Sequence, residues 1–294
     1  MSEAIHHRPT ISELLRKTTS YLKEKGSSSP RLDAEVLMTE ILGLSRVELY
    51  TNYEQPLTPP EVDRYRELIR RRSVGEPVAY ILGRASFRNL TLRVDRDVLI
   101  PRPETEQVVE IAVQYLMEGN WPTPPMVLDL GTGSGAIAIS IACGFPEAEV
   151  MATDASANAI ELARENARTA GAGERIEFVH SDLFEALDPL TTYDLIVSNP
   201  PYISEEEWET LAPDVRDFEP REALFGGIDG LDYFRRLAVE APQFLKPHGA
   251  LVMEIGHLQG PAVLELMHAS DLYRAVRVGQ DYAGHDRIVV GQRK

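Results

Sequence analysis

The chain is poor in sulfur and in positive charge. Cys143 is the only cysteine among 294 residues, so an internal disulfide is excluded. Its place in an apolar helical run makes it a core-packing residue. Seven histidines are scattered without metal-ligand spacing, which argues against a zinc site. No stretch is apolar for the roughly 20 residues that a membrane span needs, and Met1 to Thr10 has no apolar signal core. Lys and Arg number 30 against 46 Asp and Glu, a formal net charge of −16 with a pI near 4.9. Phosphate binding draws on clustered basic side chains, so this balance weighs against a nucleic-acid enzyme, although a local patch can oppose the global charge. What remains is a soluble, cytoplasmic, globular protein, 43% apolar and long enough for two domains.

What the chain does have is concentrated at the ends of a few apolar runs. Tyr193-Asp194-Leu195-Ile196-Val197-Ser198 reads as a buried strand, and it enters the rigid turn Asn199-Pro200-Pro201-Tyr202. Consecutive prolines remove two N–H donors, so the turn offers carbonyls without competing donors. The Asn199 side-chain oxygen beside the Pro200 carbonyl makes an acceptor pair suited to a flat –NH₂ group. On its own the turn also fits a strand that simply ends in a proline loop.

The preceding stretch favours chemistry. Val127-Leu128-Asp129-Leu130 runs into Gly131-Thr132-Gly133-Ser134-Gly135 and then the apolar helical run Ala136 to Ala142. Strand, glycine turn and helix in that order form the layout by which α/β folds hold nucleotide-like ligands. The spacing Gly-x-Gly-x-Gly departs from the dinucleotide fingerprint, which requires Gly-x-Gly-x-x-Gly. A second strand, Glu149 to Asp154, ends in an acid placed to grip a ribose diol. A third, Arg175 to Asp182, ends in another. Three strands ending in a glycine loop and two acids, with Asn199 to Tyr202 ending a fourth, resemble the class I S-adenosylmethionine-dependent methyltransferases that methylate amino nitrogen.

Upstream, residues 1–83 carry helical periodicity and no strand pattern. Ile11, Leu14, Leu15, Thr18 and Leu22 form one stripe ended by Gly26, and Pro30 opens a second helix with Leu32, Val36, Leu37 and Ile41 inward. Short helices follow from Ser45 and over Pro77 to Leu82, and Thr58-Pro59-Pro60-Glu61 is a capping box before Val62, Tyr65, Leu68 and Ile69. The expectation is a small helical bundle without a catalytic cluster, hence a recognition domain, with Arg70-Arg71-Arg72 on a solvated face. Residues 84–103 read as a hairpin linker and 104–294 as the catalytic domain. The latter is expected to be a Rossmann-like, seven-stranded sheet with an antiparallel edge strand. Glu104 and Glu106 cap a helix electrostatically and could close one side of a cofactor pocket. The long acidic connection from Ser204 to Phe218 reads as a substrate-covering loop.

Nearly the whole chain resembles the bacterial release factor glutamine methyltransferases, the protein-(glutamine-N5) methyltransferase family. The most selective runs are Ile100-Pro101-Arg102-Pro103-Glu104-Thr105-Glu106 and Glu219-Pro220-Arg221-Glu222-Ala223-Leu224, beside the shared glycine loop and Ser198 to Tyr202. A sister family that methylates a ribosomal-protein glutamine shares the Asn-Pro-Pro-Tyr turn, as do enzymes acting on adenine or guanine amino groups of RNA and DNA. The resemblance implies S-adenosyl-L-methionine as donor and the Gly-Gly-Gln glutamine of class 1 peptide chain release factors as acceptor. From the composition and patterning, no metal, membrane or direct nucleic-acid partner is expected; a monomer is the expectation, although the sequence does not determine whether the chain dimerises. The resemblance also implies that Asn199 and the Pro200 carbonyl hold the amide, with Pro201 alongside and the Tyr202 ring packed against it. Gly131, Thr132, Gly133, Ser134 and Gly135 would admit the methionine part, with Asn199 beside it. Asp154 would bind the ribose hydroxyls, and Asp182 with Leu183 the adenine.

Overall fold

The computed structural model describes residues 8–294, so most of the signal-core reading at Met1 to Thr10 lies outside the described residues. The chain divides into two compact units. One runs to Gly83 and takes in Pro213–Phe218; the other comprises Arg84–Ala212 and Glu219–Lys294.

The first unit is helical: α1 (Ile11–Glu24), α2 (Pro30–Leu42), α3 (Arg46–Thr51), α4 (Pro59–Ser73) and α5 (Val78–Leu82). Capping boxes at Thr10, Ser45 and Thr58 start α1, α3 and α4, each satisfying N–H groups that a helix start leaves unpaired. The core gathers Ile11, Leu15, Leu22, Leu37, Met38, Ile41 and Tyr65. Two expectations are corrected here. In α2 the buried stripe is Ala34, Leu37, Met38 and Ile41, whereas Leu32 is exposed and Val36 half-buried. The helix is rotated because Asp33 and Glu35 are buried on ion pairs with Arg72 and Arg46. The arginine run is also not one solvated face. Arg70 pairs on the surface with Glu67, Arg71 with Glu76, and Arg72 is buried against Asp33 at 2.7 Å.

The second unit opens with the hairpin β1 (Arg84–Phe87) and β2 (Leu90–Arg93), then α6 (Thr105–Glu118). There follow β3 (Met126–Leu130), α7 (Ala136–Gly144), β4 (Glu149–Asp154), α8 (Ala157–Thr169), β5 (Ile176–His180) and β6 (Tyr193–Ser198). The connection after β6 is not a bare loop: it carries the short helices α9 (Glu205–Thr210) and α10 (Pro213–Arg216), the latter within the first unit. The chain ends with α11 (Asp232–Phe244), β7 (Leu245–Glu254), α12 (Gly260–Ser270), β8 (Tyr273–Gln280) and β9 (Asp286–Arg293).

Seven strands form one sheet in the order β5-β4-β3-β6-β7-β9-β8. The first five are parallel. The reversed strand expected at the edge is β9, and it lies one place in, antiparallel to both β7 and β8. Successive side chains on a strand face opposite sides. Accordingly Val127, Leu195, Val197 and Val252 enter the core beneath α6, α7 and α8, while Leu128, Ile196, Leu251 and Met253 enter the core with α11 and α12. Burial on both faces explains why these strands read as continuous apolar runs. Cys143 is half-buried against the first of these cores. No helix among the described residues is long and apolar enough to cross a membrane, and no group of three or more His, Cys, Asp or Glu among them is placed to hold a metal ion.

Candidate active site

The strand order reverses direction between β3 and β6, and in open α/β sheets ligands bind beyond the carboxyl ends of the strands at such a switch point. A cavity of about 490 Å³ lies there, within the usual range for small-molecule sites.

The glycine loop after β3 is tied down by two carboxylates. Asp129, fully buried, accepts from Thr132 Oγ1 at 2.7 Å and from the Ala138 N–H at 3.1 Å. Asp154, at the end of β4, accepts from the Gly133 N–H at 2.8 Å and, through its other oxygen, from the Ser156 N–H at 2.8 Å. Gly133 has φ +54°, with nothing within 4 Å of where a Cβ would sit. Its requirement for glycine is therefore conformational. Gly135 (φ +83°) differs, since a Cβ there would meet Ile139 Cδ1 at 2.8 Å. It starts α7 and packs the loop onto it.

Beyond β5 the chain turns sharply. Ser181 Oγ donates to the Leu183 carbonyl at 3.0 Å and accepts from the Ala186 N–H at 2.9 Å. This turn holds Leu183 at φ +48°, a conformation uncommon for leucine and of the strained kind that clusters at ligand sites. Asp182 beside it accepts from Arg236 Nη1 at 2.8 Å.

Of the residues the sequence singled out, Gly131, Thr132, Gly133, Ser134, Asp154, Asp182, Leu183, Asn199, Pro200 and Pro201 all line this cavity. Gly135 and Tyr202 lie off its wall. The Tyr202 ring packs at the border of the core with α11 and α12, and its hydroxyl donates to Glu254 Oε1 at 3.4 Å.

Sequence reasoning passed over Glu254. It is the last residue of β7, 1% exposed, and it receives the Thr105 hydroxyl at 2.6 Å. Thr105 in turn accepts from Asn199 Nδ2 at 3.1 Å. An acid within the apolar run Leu251-Val252-Met253-Glu254-Ile255 was the available signal, because buried carboxylates need partners. The two family-selective runs also meet. Arg102 Nη2 donates to Glu219 Oε1 at 2.6 Å, and Glu219 Oε2 accepts from the Ile100 N–H at 3.2 Å. Thus the segment entering α6 is fastened to the segment that closes over the Asn-Pro-Pro-Tyr turn, where the Ile203 N–H donates to the Leu224 carbonyl at 2.8 Å.

Burial pushes the Glu254 carboxyl up from its ordinary 4.5 to about 7, against the opposing Thr105 hydrogen bond and the charge of Arg287. A carboxyl raised on folding makes its stabilising contribution in full below its unfolded value and loses it as pH rises towards the folded one. Relative to wild type, Glu254→Gln should therefore gain stability as pH rises from about 4.5 to 7, with little further change above that. Urea melts of both proteins at pH 5, 6, 7 and 8 check this. A stability difference that does not move with pH would place the titration elsewhere.

Comparisons with known proteins agree with this geometry. Residues 13–83 match the family model described as PrmC N-terminal domain, and residues 107–214 the one described as Methyltransferase small domain. A solved methyltransferase from Pyrococcus furiosus superposes with a TM-score of 0.51 at 17% identity, over 70% of this chain and 90% of its own. At that identity the likeness speaks for the fold alone. Together, the sheet with one reversed strand, its helical layers and the glycine loop at the switch point define a class I methyltransferase. Release factor glutamine methyltransferase from Rhodopirellula baltica is 41% identical over 100% of both chains, and that from Chlorobaculum tepidum is 44% identical over 95% of both. The chain belongs to the release factor glutamine methyltransferase family.

Proposed function

We propose that this chain transfers a methyl group from S-adenosyl-L-methionine to the side-chain amide nitrogen of the glutamine in the Gly-Gly-Gln motif of class 1 peptide chain release factors. The observation that carries the reading is the pairing of Asn199 with Pro200 on the wall of the switch-point cavity, in a chain whose full-length relatives bear that name.

The residues present suit the donor. Glycines at 131 and 133 leave open space where a Cβ would project, Asp154 is a carboxylate on the wall, and Leu183 and Ile137 add apolar surface. When bound, S-adenosylmethionine would supply an already activated methyl on a sulfonium, so no strong base is needed before transfer, and the surplus proton leaves from the cationic amide product afterwards. Gly131 to Gly135 admit its methionine part, Asp154 accepts from the ribose hydroxyls, and Leu183 with Asp182 borders the adenine.

The protein's own task is to handle a poor nucleophile, since the amide nitrogen's lone pair is delocalised into its carbonyl. Asn199 Oδ1 and the Pro200 carbonyl accept the two amide hydrogens, which aims the nitrogen and concentrates electron density on it. Positioning of this kind lowers barriers by several kcal/mol, up to about 7–11 in ideal cases. Pro201 keeps a competing N–H out of the turn, and Tyr202 acts through Glu254 rather than on the substrate. The first unit, with no catalytic cluster among its described residues, recognises the release factor. We place the enzyme in the cytoplasm, as a monomer without direct nucleic-acid contacts.

Labelled S-adenosylmethionine incubated with purified release factor, and separately with bulk RNA, tests the reading. Label on the Gly-Gly-Gln glutamine is expected, and label on RNA alone would overturn it. Asp154→Ala should weaken cofactor binding about tenfold or more, because hydrogen bonds to a charged group contribute about 1.5–3 kcal/mol. Isothermal titration reads this directly, and unchanged affinity removes Asp154 from the ribose site.

A further inference from the structure

We infer that Thr105 and Glu254 are positioning residues that decide which end of the Asn199 amide faces the substrate. The inference rests on the functional reading above, in which Asn199 must present its oxygen. The two ends of an asparagine amide are nearly alike in size and opposite in hydrogen bonding. Turned round, Asn199 would aim two donors at the two hydrogens of the acceptor amide, and the site would repel the group it has to hold. Nothing within the Asn-Pro-Pro-Tyr turn chooses between the two orientations.

Three elements converge to make the choice. β6 and β7 are adjacent parallel strands with Ser198 opposite Met253, so the next residues, Asn199 and Glu254, emerge side by side at their carboxyl ends. Thr105, the first residue of α6 and 4% exposed, sits between them. Its hydroxyl donates to Glu254 Oε2 at 2.6 Å. A hydroxyl has one hydrogen. With that hydrogen committed to a carboxylate, Thr105 offers only lone pairs to Asn199, and it accepts from Nδ2 at 3.1 Å. Oδ1 is then left for the substrate.

The acceptor at the far end of the chain must itself be fixed. Glu254 is held by Tyr202 on its other oxygen at 3.4 Å, with the charges of Arg287 and Glu104 also acting on it. Above its raised pKa of about 7 the Glu254 carboxylate has no hydrogen to give back, so at the pH where it is ionised the direction of the whole chain is set from its buried end. This also gives Tyr202 a purpose away from the cavity wall, and it explains why a threonine stands among the acids of the Pro-Arg-Pro-Glu-Thr-Glu run. A hydroxyl there can relay direction, whereas a third carboxylate would compete with Glu254.

The test compares Thr105→Val, which keeps the shape and removes the hydroxyl, with Thr105→Ser, which restores it. Rates are read at saturating S-adenosylmethionine and release factor, alongside cofactor affinity by titration and folding by circular dichroism. Thr105→Val should lose about tenfold or more in kcat, the scale of one hydrogen bond at a reacting centre, with KM and cofactor affinity changed much less. Thr105→Ser should regain most of the rate. A structural role alone would move KM and cofactor affinity along with kcat, even though a hydroxyl would rescue it. The inference is overturned if the valine variant turns over like wild type, or if serine falls as far as valine. Should Thr105→Val fail to fold, Thr105→Ala against Thr105→Ser carries the same comparison. Wild-type enzyme that places no label on release factor overturns the functional reading and this inference with it. An active wild type beside an equally active valine variant removes only the inference.

Discussion

Asn199→Ala is expected to slow methyl transfer by about two to three orders of magnitude, the usual consequence of losing one preorganised polar contact at a reacting centre. The loss should fall on kcat. The backbone carbonyl of Pro200 and the glycine loop are untouched, so cofactor affinity should change little. Thr105 keeps its bond to Glu254 in this variant, so the surrounding wall has no reason to rearrange. Asn199→Asp is the more discriminating change. It keeps an acceptor near the same place and brings a negative charge towards the sulfonium, which stabilises the bound state and offsets part of the gain. It also turns a second carboxylate oxygen towards Thr105, whose single hydrogen is already given to Glu254. Aspartate should therefore fall between asparagine and alanine. Single-turnover rates on release factor separate the three, and an alanine variant as fast as wild type at saturation would remove the acceptor pair from the mechanism.

The second large effect is expected far from the chemistry. Arg72→Ala should destabilise the protein by about 3–5 kcal/mol, because it leaves the half of a buried ion pair that stays behind without its counter-charge. Both side chains are withdrawn from water, Arg72 at 6% and Asp33 at 10% exposure. Arg72 Nη1 also donates to the Gly75 carbonyl at 3.1 Å and to that of Glu76 at 3.3 Å, so two backbone acceptors lose their donor as well. Arg70→Ala is the matched control. Its partner Glu67 is exposed, and exposed pairs contribute about 0–1 kcal/mol. Denaturant melts of the two variants should differ clearly, and equal midpoints would show that the Arg72 pair is replaceable.

That contrast within one tripeptide shows where pattern reading stops. Arg70, Arg71 and Arg72 are identical in the sequence, and their fates depend on which acid another helix brings opposite. In α2 the same limit appears as a rotation. The apolar residues Leu32 and Val36 fit an inward stripe, yet burial of Asp33 and Glu35 on arginines outweighs them and turns Leu32 outward. Periodicity weighs hydrophobicity and is blind to a charge whose partner comes from a distant segment.

The central strands β3 and β6 were legible because each is covered on both faces and thus almost wholly buried, and because the glycine loop and the proline turn follow directly on them. Local sequence determined the glycine loop, the acids at the ends of β4 and β5, and the proline turn after β6, since backbone conformation and missing N–H groups are properties of the residues themselves. Only the tertiary structure decided how those ends are joined into one wall. It placed the reversed strand one position in from the sheet edge, tied Arg102 to Glu219 across more than a hundred residues, and moved Tyr202 from the wall to the support of Glu254. It also set Thr105 between Asn199 and Glu254, residues 94 and 149 positions away. A hydrogen bond between segments depends on strand order and register, and no local run of sequence contains either.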